Sequence, residues 1–199
     1  EQGLNDATAT QITYTKNDTR NGKEVLLTII DTTEYGITST QKIWKDVIGN
    51  TLYTYTENYE IDTLASINKT YKDYYDIDGV GVKDLVTVTD VYEGYITAVS
   101  AGLEGSIDTA LSKLLHTSVN KTYKRDYANR FETVTEIYEY FNGETNALLT
   151  TIQHTYYDYR DIVDGTENNN APVKVTEQYE YGSDEAVSVQ YTYYSKEKR

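Results

Sequence analysis

His116 and His154 are the only two imidazoles in this 199-residue sequence, and it contains no cysteine. That leaves no thiolate nucleophile and no Cys-ligated zinc or iron–sulfur centre. The histidines do not form an H-E-x-x-H pair, and no serine stands in a G-x-S-x-G turn. No glycine-rich phosphate loop or dinucleotide fingerprint occurs either. His154 occupies a repeated strand position, described below, that other copies fill with Ile, Lys or Tyr, so it reads as a strand residue. The stretch 76–84 is the best metal candidate, with Asp76, Asp78 and Asp84 as prospective calcium ligands. Asp76 and Asp78 alternate as first and third ligands would, and Gly81 falls where such a loop turns sharply. Val80 and Thr87 occupy the fifth and twelfth positions, where calcium loops place an oxygen ligand and a carboxylate. The competing reading is an Asp/Gly hairpin turn with no ion. Among 32 acidic residues, chance carboxylate pairs are numerous, so no glycosidase-like pair stands out. The expectation is a protein that is not an enzyme, with no cofactor unless calcium.

These residues must be positioned by strands, because the sequence is a two-part repeat. Motif A reads Gln/Asn-x-Thr/Ile-Tyr/Trp. Its copies begin at Gln11, Gln41, Asn68, Asn120, Gln153 and Gln190. Motif B reads Thr-Glu/Asp-x-Tyr-Glu, at 56–60, 89–93, 135–139 and 176–180, with a degenerate copy at Thr32-Thr33-Glu34-Tyr35. The two alternate strictly along the chain. Turn residues fall between A and B: Asn21-Gly22, Gly49-Asn50, Asp78-Gly79-Val80-Gly81, Ala128-Asn129-Arg130 and Asp164-Gly165. Such residues supply the positive φ angles that hairpins demand. Tyr and Thr are strand formers, and Pro172 is the only proline, so little interrupts a ladder.

The fold expected is all-β: an antiparallel meander of about eleven long strands in repeated hairpins, as an open curved sheet or irregular barrel. Closure would bring 11–16 and 190–194 together in parallel; an open sheet would leave two A-type edges. Lysines on A (Lys42, Lys69, Lys121) and carboxylates on B (Glu57, Asp90, Glu136) favour A beside B over like beside like. In β-period, Val86, Val88, Asp90, Tyr92, Gly94 and Ile96 share the more apolar face of their strand. One insertion, 101–119, has helical spacing at Ile107, Ala110, Leu111, Leu114 and Leu115. It predicts a short helix near 107–115 capped by Ser106, with Leu111, Leu114 and Leu115 packed on strands. Residues 1–10 read as a polar leader and 11–199 as one domain. A start at Glu1 rather than Met suggests a cleaved leader or a fragment.

A formal charge of −14 argues against nucleic acid and anionic lipid as partners. No apolar run is long enough for a transmembrane helix. The abundance of aromatic and β-branched residues argues against disorder. Sequons at Asn17, Asn68 and Asn120 could accept glycans if the chain is secreted. The recurring Tyr-x-Tyr phrases and Asp/Gly turns are similar to the tyrosine–aspartate repeats of shell-forming bacterial surface and toxin proteins. Their Tyr-Asp-x-x-Gly core is missing, since Tyr157-Asp158 lacks the glycine. Eleven strands with a helix also resemble the half-open barrels of periplasmic lipoprotein carriers, in strand number alone. The function expected is an extracellular or cell-surface structural or adhesive module. Its partner would be itself or another surface protein, through strand edges and tyrosine-rich faces. The alternatives are a periplasmic or secreted barrel carrying an apolar ligand, and a carbohydrate-active protein.

Overall fold

The computed structural model describes residues 10–34, 37–77, 79–97, 107–127, 130–141, 145–158 and 173–193. Eleven strands form one antiparallel meander that does not close. They are β1 (Thr10–Arg20), β2 (Lys23–Glu34), β3 (Ile37–Ile48), β4 (Thr51–Glu60), β5 (Thr63–Tyr75) and β6 (Asp84–Thr97). After a short helix, α1 (Ile107–Leu111), come β7 (Leu115–Tyr127), β8 (Arg130–Glu139), β9 (Leu148–Asp158), β10 (Val173–Glu180) and β11 (Ala186–Tyr193). The spatial order is the chain order. Motif A lies on the odd strands and motif B on the even ones.

Turn chemistry works as the sequence suggests at two hairpins. Asn21 (φ 52°) and Gly22 (φ 68°) make a two-residue loop with both angles positive, joining Arg20 to its partner Lys23. Gly49 (φ 63°) leads the loop between Ile48 and Thr51. The turn between β4 and β5 was not anticipated: Ile61, a β-branched residue, adopts φ 57°. The turns at 128–129 and 164–165 lie outside the described residues.

Register repeats with the motifs. From A to the following B, position one faces position three: Gln41 opposes Asn58, and Gln153 opposes Gln178. From B to the following A, the threonine faces the amide: Thr56 opposes Asn68, Thr135 opposes Gln153, and Thr176 opposes Gln190. The same rules relocate the degenerate copy. Gln11 faces Thr32 and Gln41 faces Ile30, so the structural B segment of β2 is Ile30–Glu34, two residues earlier than the sequence match. There Asp31 and Glu34 take the places of the two acidic positions.

Each of three B strands also carries a register shift at the same place. Asn58 and Tyr59 pair with Ser66 and Leu64, passing over Ala65. Ile137 and Tyr138 pass over Thr150, and Gln178 and Tyr179 pass over Val187. The passed residue always precedes its A motif by three. A bulge changes which face the next residue meets, which is why Leu64 and Ile67, three apart, are both fully buried.

The chain divides into two compact units whose limits run through β5, β6 and β7: 1–72, 89–118 and 141–143 in the first, 73–88, 119–140 and 144–199 in the second. The first has a core of Leu27, Ile29, Trp44, Tyr55, Leu64 and Ile67, with Ile107, Ala110 and Leu114 packed against it. Trp44 stacks on Tyr55 with ring centroids 4.4 Å apart. In the second unit Val86, Val88, Tyr123, Val134 and Val175 are buried.

The helix differs from expectation. It spans five residues rather than about ten, and Leu115 starts β7 with its side chain 71% exposed. Three leucines at helical spacing are not enough when the strand after them pulls Leu115 into the ladder. Ser106 lies outside the described residues. The first helical N–H, of Ile107, is instead held by Asn21 Oδ1 at 2.7 Å, so a distant hairpin turn supplies the cap. Gly94 makes room for the helix exit: a Cβ there would sit 3.1 Å from Leu114 Cδ2.

Candidate functional site

The repeated residues converge on a repeated polar device. The acidic second position of motif B accepts from two aromatic donors: the tyrosine two residues on, and the aromatic fourth position of the preceding A strand. In the first copy Glu57 receives Trp44 Nε1–H at 2.6 Å and the Tyr59 hydroxyl at 2.9 Å. In the second Glu136 receives the hydroxyls of Tyr123 at 3.0 Å and Tyr138 at 2.7 Å. In the third Glu177 receives Tyr156 at 2.9 Å and Tyr179 at 3.2 Å. Bonds to an ionised carboxylate are the strong ones. Burial, with the glutamate's charge added, raises the pKa values of Tyr59, Tyr123 and Tyr138 well above the usual tyrosine range, since a phenolate there would face a carboxylate. On the other face the third position of A meets the threonine of B, hydroxyl to hydroxyl: Thr70 with Thr89, Thr122 with Thr135, Thr155 with Thr176, all at 3.0–3.3 Å.

The expected lysine–glutamate contacts take another form. Lys42 does lie directly across from Glu57. Its ammonium, however, sits over the Tyr59 ring at 4.2 Å, and Lys121 sits 4.5 Å from both the Tyr75 and Tyr138 rings. The carboxylates are taken by aromatic donors, so the lysines turn to the negative ring faces. One cross-strand ion pair of the expected kind does form, Arg125 with Glu132 at 2.7 Å.

Asp90 stands where the copies on β4, β8 and β10 have glutamate. It meets His116 Nε2 at 3.5 Å, and that imidazole stacks on Tyr92 at 4.4 Å. Burial pushes the Asp90 carboxyl up and the His116 imidazole down, each partly offset by the other. Glu57 carries one further partner, the buried Arg20, whose Nε is 3.3 Å away and whose Nη1 pairs with Asp18.

Two clefts accompany this framework. The first, about 410 Å³, lies in the second unit among Arg125, His154, Glu177, Tyr179 and the turn 182–184. Beside it Glu132, 1% exposed, holds Arg125 and, at 3.4 Å, His154 Nδ1. Burial works against the Glu132 charge, but the bonds from Arg125 and His154 bring its pKa below the ordinary value. A serine, an imidazole and a carboxylate therefore gather here. Ser183 Oγ is nonetheless engaged by its own turn, donating to the Glu185 carbonyl and accepting from the Glu185 N–H. The second cleft, about 400 Å³, lies in the first unit and is lined mainly by hydroxyls and amides, including Thr32, Ser39, Gln41, Asn58 and Ser66. Gln41 donates to Asn58 at 2.9 Å and Asn58 to Ser66 at 2.8 Å. The carrier reading expects an enclosed cavity of Val, Leu and Ile with the helix at its mouth; α1 lines neither cleft.

The candidate calcium residues are not seen as a set. Asp76 Oδ2 accepts the Gly81 N–H at 2.9 Å, which is hairpin-turn bonding. Asp84 begins β6, exposed, and Asp78 lies outside the described residues. Among the described residues no group of three or more His, Asp or Glu side chains is arranged to hold a metal. Of the sequon asparagines Asn17 is exposed, while Asn68 and Asn120 are half-buried. No described helix is long and apolar enough to cross a membrane.

The sheet's two edges are the remaining feature. β1 carries Lys16, Asp18 and Arg20 along its second half. β11 (Ala-Val-Ser-Val-Gln-Tyr-Thr-Tyr) carries no charge at all. Val187, Val189 and Tyr191 on β11 are exposed. In both edge strands the second position of motif A is apolar, Ile12 and Tyr191, where β3, β5 and β7 have lysine. No protein-family model, curated protein or solved structure matches the chain. The aromatic clamp and the bulge were not foreseen. The fixed two-residue spacing of Glu and Tyr in motif B was the available signal, since it places both on one face of a strand.

Proposed function

We propose that this chain is a non-enzymatic structural or adhesive module of an extracellular or cell-surface assembly, joining to other copies or to another surface protein through its strand edges. The observation that carries the reading is an open eleven-stranded sheet ending in β11, eight residues without a charge, five of them Val, Thr or Tyr. Natural proteins usually blunt such edges with charge, proline or a covering element. Here the second position of motif A is lysine on β3, β5 and β7 and apolar on both outer A strands. The −14 charge would keep separate copies apart until edges meet, and tyrosines offer amphipathic contact area beside the seam. The extracellular setting rests on composition, acidic and rich in threonine and tyrosine.

Sedimentation velocity over rising protein concentration tests this. Mass should grow with concentration, and growth should persist in moderate salt because the contacts are backbone pairing. A strict monomer that co-purifies with lipid would overturn it in favour of a carrier. A second reading, carbohydrate contact, is favoured by the cleft of amides and hydroxyls around Gln41 and Asn58. Oligosaccharide titration followed by fluorescence of Trp44, the single tryptophan, would detect it.

A further inference from the structure

We infer that β11 is a homotypic seam: two copies pair β11 to β11 antiparallel about a two-fold axis through Gln190. The inference rests on the assembly reading above and specifies its edge, symmetry and register. β1 is the weaker candidate, because exposed Lys16 and its neighbours Asp18 and Arg20 already engage one another and Glu57. Among the described residues β11 has no such guard. A two-fold axis perpendicular to the sheet keeps equivalent faces together, as an isologous interface requires.

The register follows from pairs already used inside the sheet. Centred on Gln190, the seam sets Gln190 against Gln190 of the second copy, repeating the amide opposition of Gln153 with Gln178. Ser188 then faces Thr192, a hydroxyl pair like Thr155 with Thr176. Val189 faces Tyr191, as Val175 faces Tyr191 within the chain. An aromatic against a β-branched residue is a favourable cross-strand pair. Centring on Val189 instead would put Val187, the residue passed over in the β10–β11 register, in the middle of the ladder against Tyr191. Centring on Gln190 moves it to the end.

The absence of cysteine makes the test direct. Directly opposed residues in an antiparallel pair have Cα atoms about 4.5–5.5 Å apart, within disulfide range. In the full chain, Gln190→Cys should give a covalent dimer under mild oxidation, at least ten-fold faster than Thr13→Cys on β1. Ser188→Cys and Thr192→Cys should each cross-link poorly alone and efficiently when mixed. Val189→Lys should raise the dissociation constant of the dimer at least ten-fold with an unchanged circular dichroism spectrum. If the wild type self-associates but Gln190→Cys cross-links no faster than Thr13→Cys, the seam is wrong and the assembly reading stands. If the wild type stays monomeric at every concentration, both fall.

Discussion

Replacing Glu57 with glutamine removes one charge and changes one atom, and the structure says what that should cost. Glu57 is 0% exposed. Its two oxygens accept from Trp44 Nε1 at 2.6 Å, Tyr59 at 2.9 Å and Arg20 Nε at 3.3 Å. Three donors thus converge on an acceptor-only group. Glutamine keeps one acceptor oxygen but turns an NH2 toward donors, leaving at least one buried donor unsatisfied, at roughly 1–3 kcal/mol. It also leaves Arg20 with Asp18 as its remaining anion. About 2–3 kcal/mol is expected for Glu57→Gln. Glu57→Ala, which removes every acceptor and opens a cavity, should cost about 3–5 kcal/mol. Against a total stability of roughly 5–15 kcal/mol, either change is large. Urea unfolding followed by Trp44 fluorescence reads both the stability and the site, because that indole is itself a donor to Glu57. Glu177→Gln, in a half-buried clamp with bonds of 2.9 and 3.2 Å, should cost only about 1 kcal/mol by the same hydrogen-bond accounting. Equal losses at Glu57 and Glu177, or a Glu57→Gln protein within about 0.5 kcal/mol of wild type (the scale of an ordinary surface substitution), would refute the clamp as a source of stability.

Further outcomes follow from the same geometry. Burial pushes Tyr55 up to about 12, and Tyr59, Tyr123 and Tyr138 are raised further; a raised folded value means stability is held until the pH climbs past the ordinary tyrosine value and is lost as it rises through the folded one. Absorbance titration should therefore show exposed tyrosines ionising first and the clamp tyrosines only in a cooperative step with loss of the β-sheet signal. At the acid end Glu132 is held below its ordinary 4.5, so its contribution is complete above that pH and lost as the pH falls through the folded value. Glu132→Gln should flatten the dependence of melting temperature on pH in that window. Ile61→Gly should stabilise by about 0.5–1 kcal/mol, because Ile61 at φ 57° is 70% exposed and a left-handed conformation costs a side-chain-bearing residue about 1–2 kcal/mol, offset in part by glycine's added freedom when unfolded. Asn21→Gly keeps the positive φ but loses the bond to Ile107 N–H. A loss of about 1 kcal/mol is expected in urea unfolding, the usual scale of a helix cap.

Strand number, order and alternation were legible because motif and turn signals are local. The positive φ angles at Asn21 and Gly22 follow from residue type alone, and the more apolar face of β6 was readable from period two. What was not legible depends on neighbours in space. Nothing in residues 101–119 says that Asn21, 86 positions away from Ile107, provides the cap. The degenerate B segment was matched at 32–35 because threonine and tyrosine are common; only pairing with Gln11 and Gln41 fixes it at 30–34. The lysine–glutamate rule predicted the correct opposition of Lys42 with Glu57 but the wrong contact, because charge patterning ignores the aromatic donors that claim the carboxylate first. The three bulges escaped because a one-residue insertion leaves composition unchanged while swapping faces.

The clamp gives a physical reason for so many tyrosines. A sheet this long needs strong contacts within its own plane, and the β7–β8 and β9–β10 pairs supply the full set: one carboxylate, two aromatic donors and a threonine pair on the other face. Such a unit is satisfied locally, so pairs can be added in series without redesigning a shared core. The same economy leaves the last strand of any such series as an A strand whose outer side lacks the B strand that follows β3, β5, β7 and β9. Tyr191, at the position that elsewhere carries lysine or histidine, fits a strand with no following carboxylate to face. An edge relieved of its charge but retaining full β-propensity is better suited to pairing than to solvent, and the sequence of β11 is nearly its own complement when read antiparallel through Gln190.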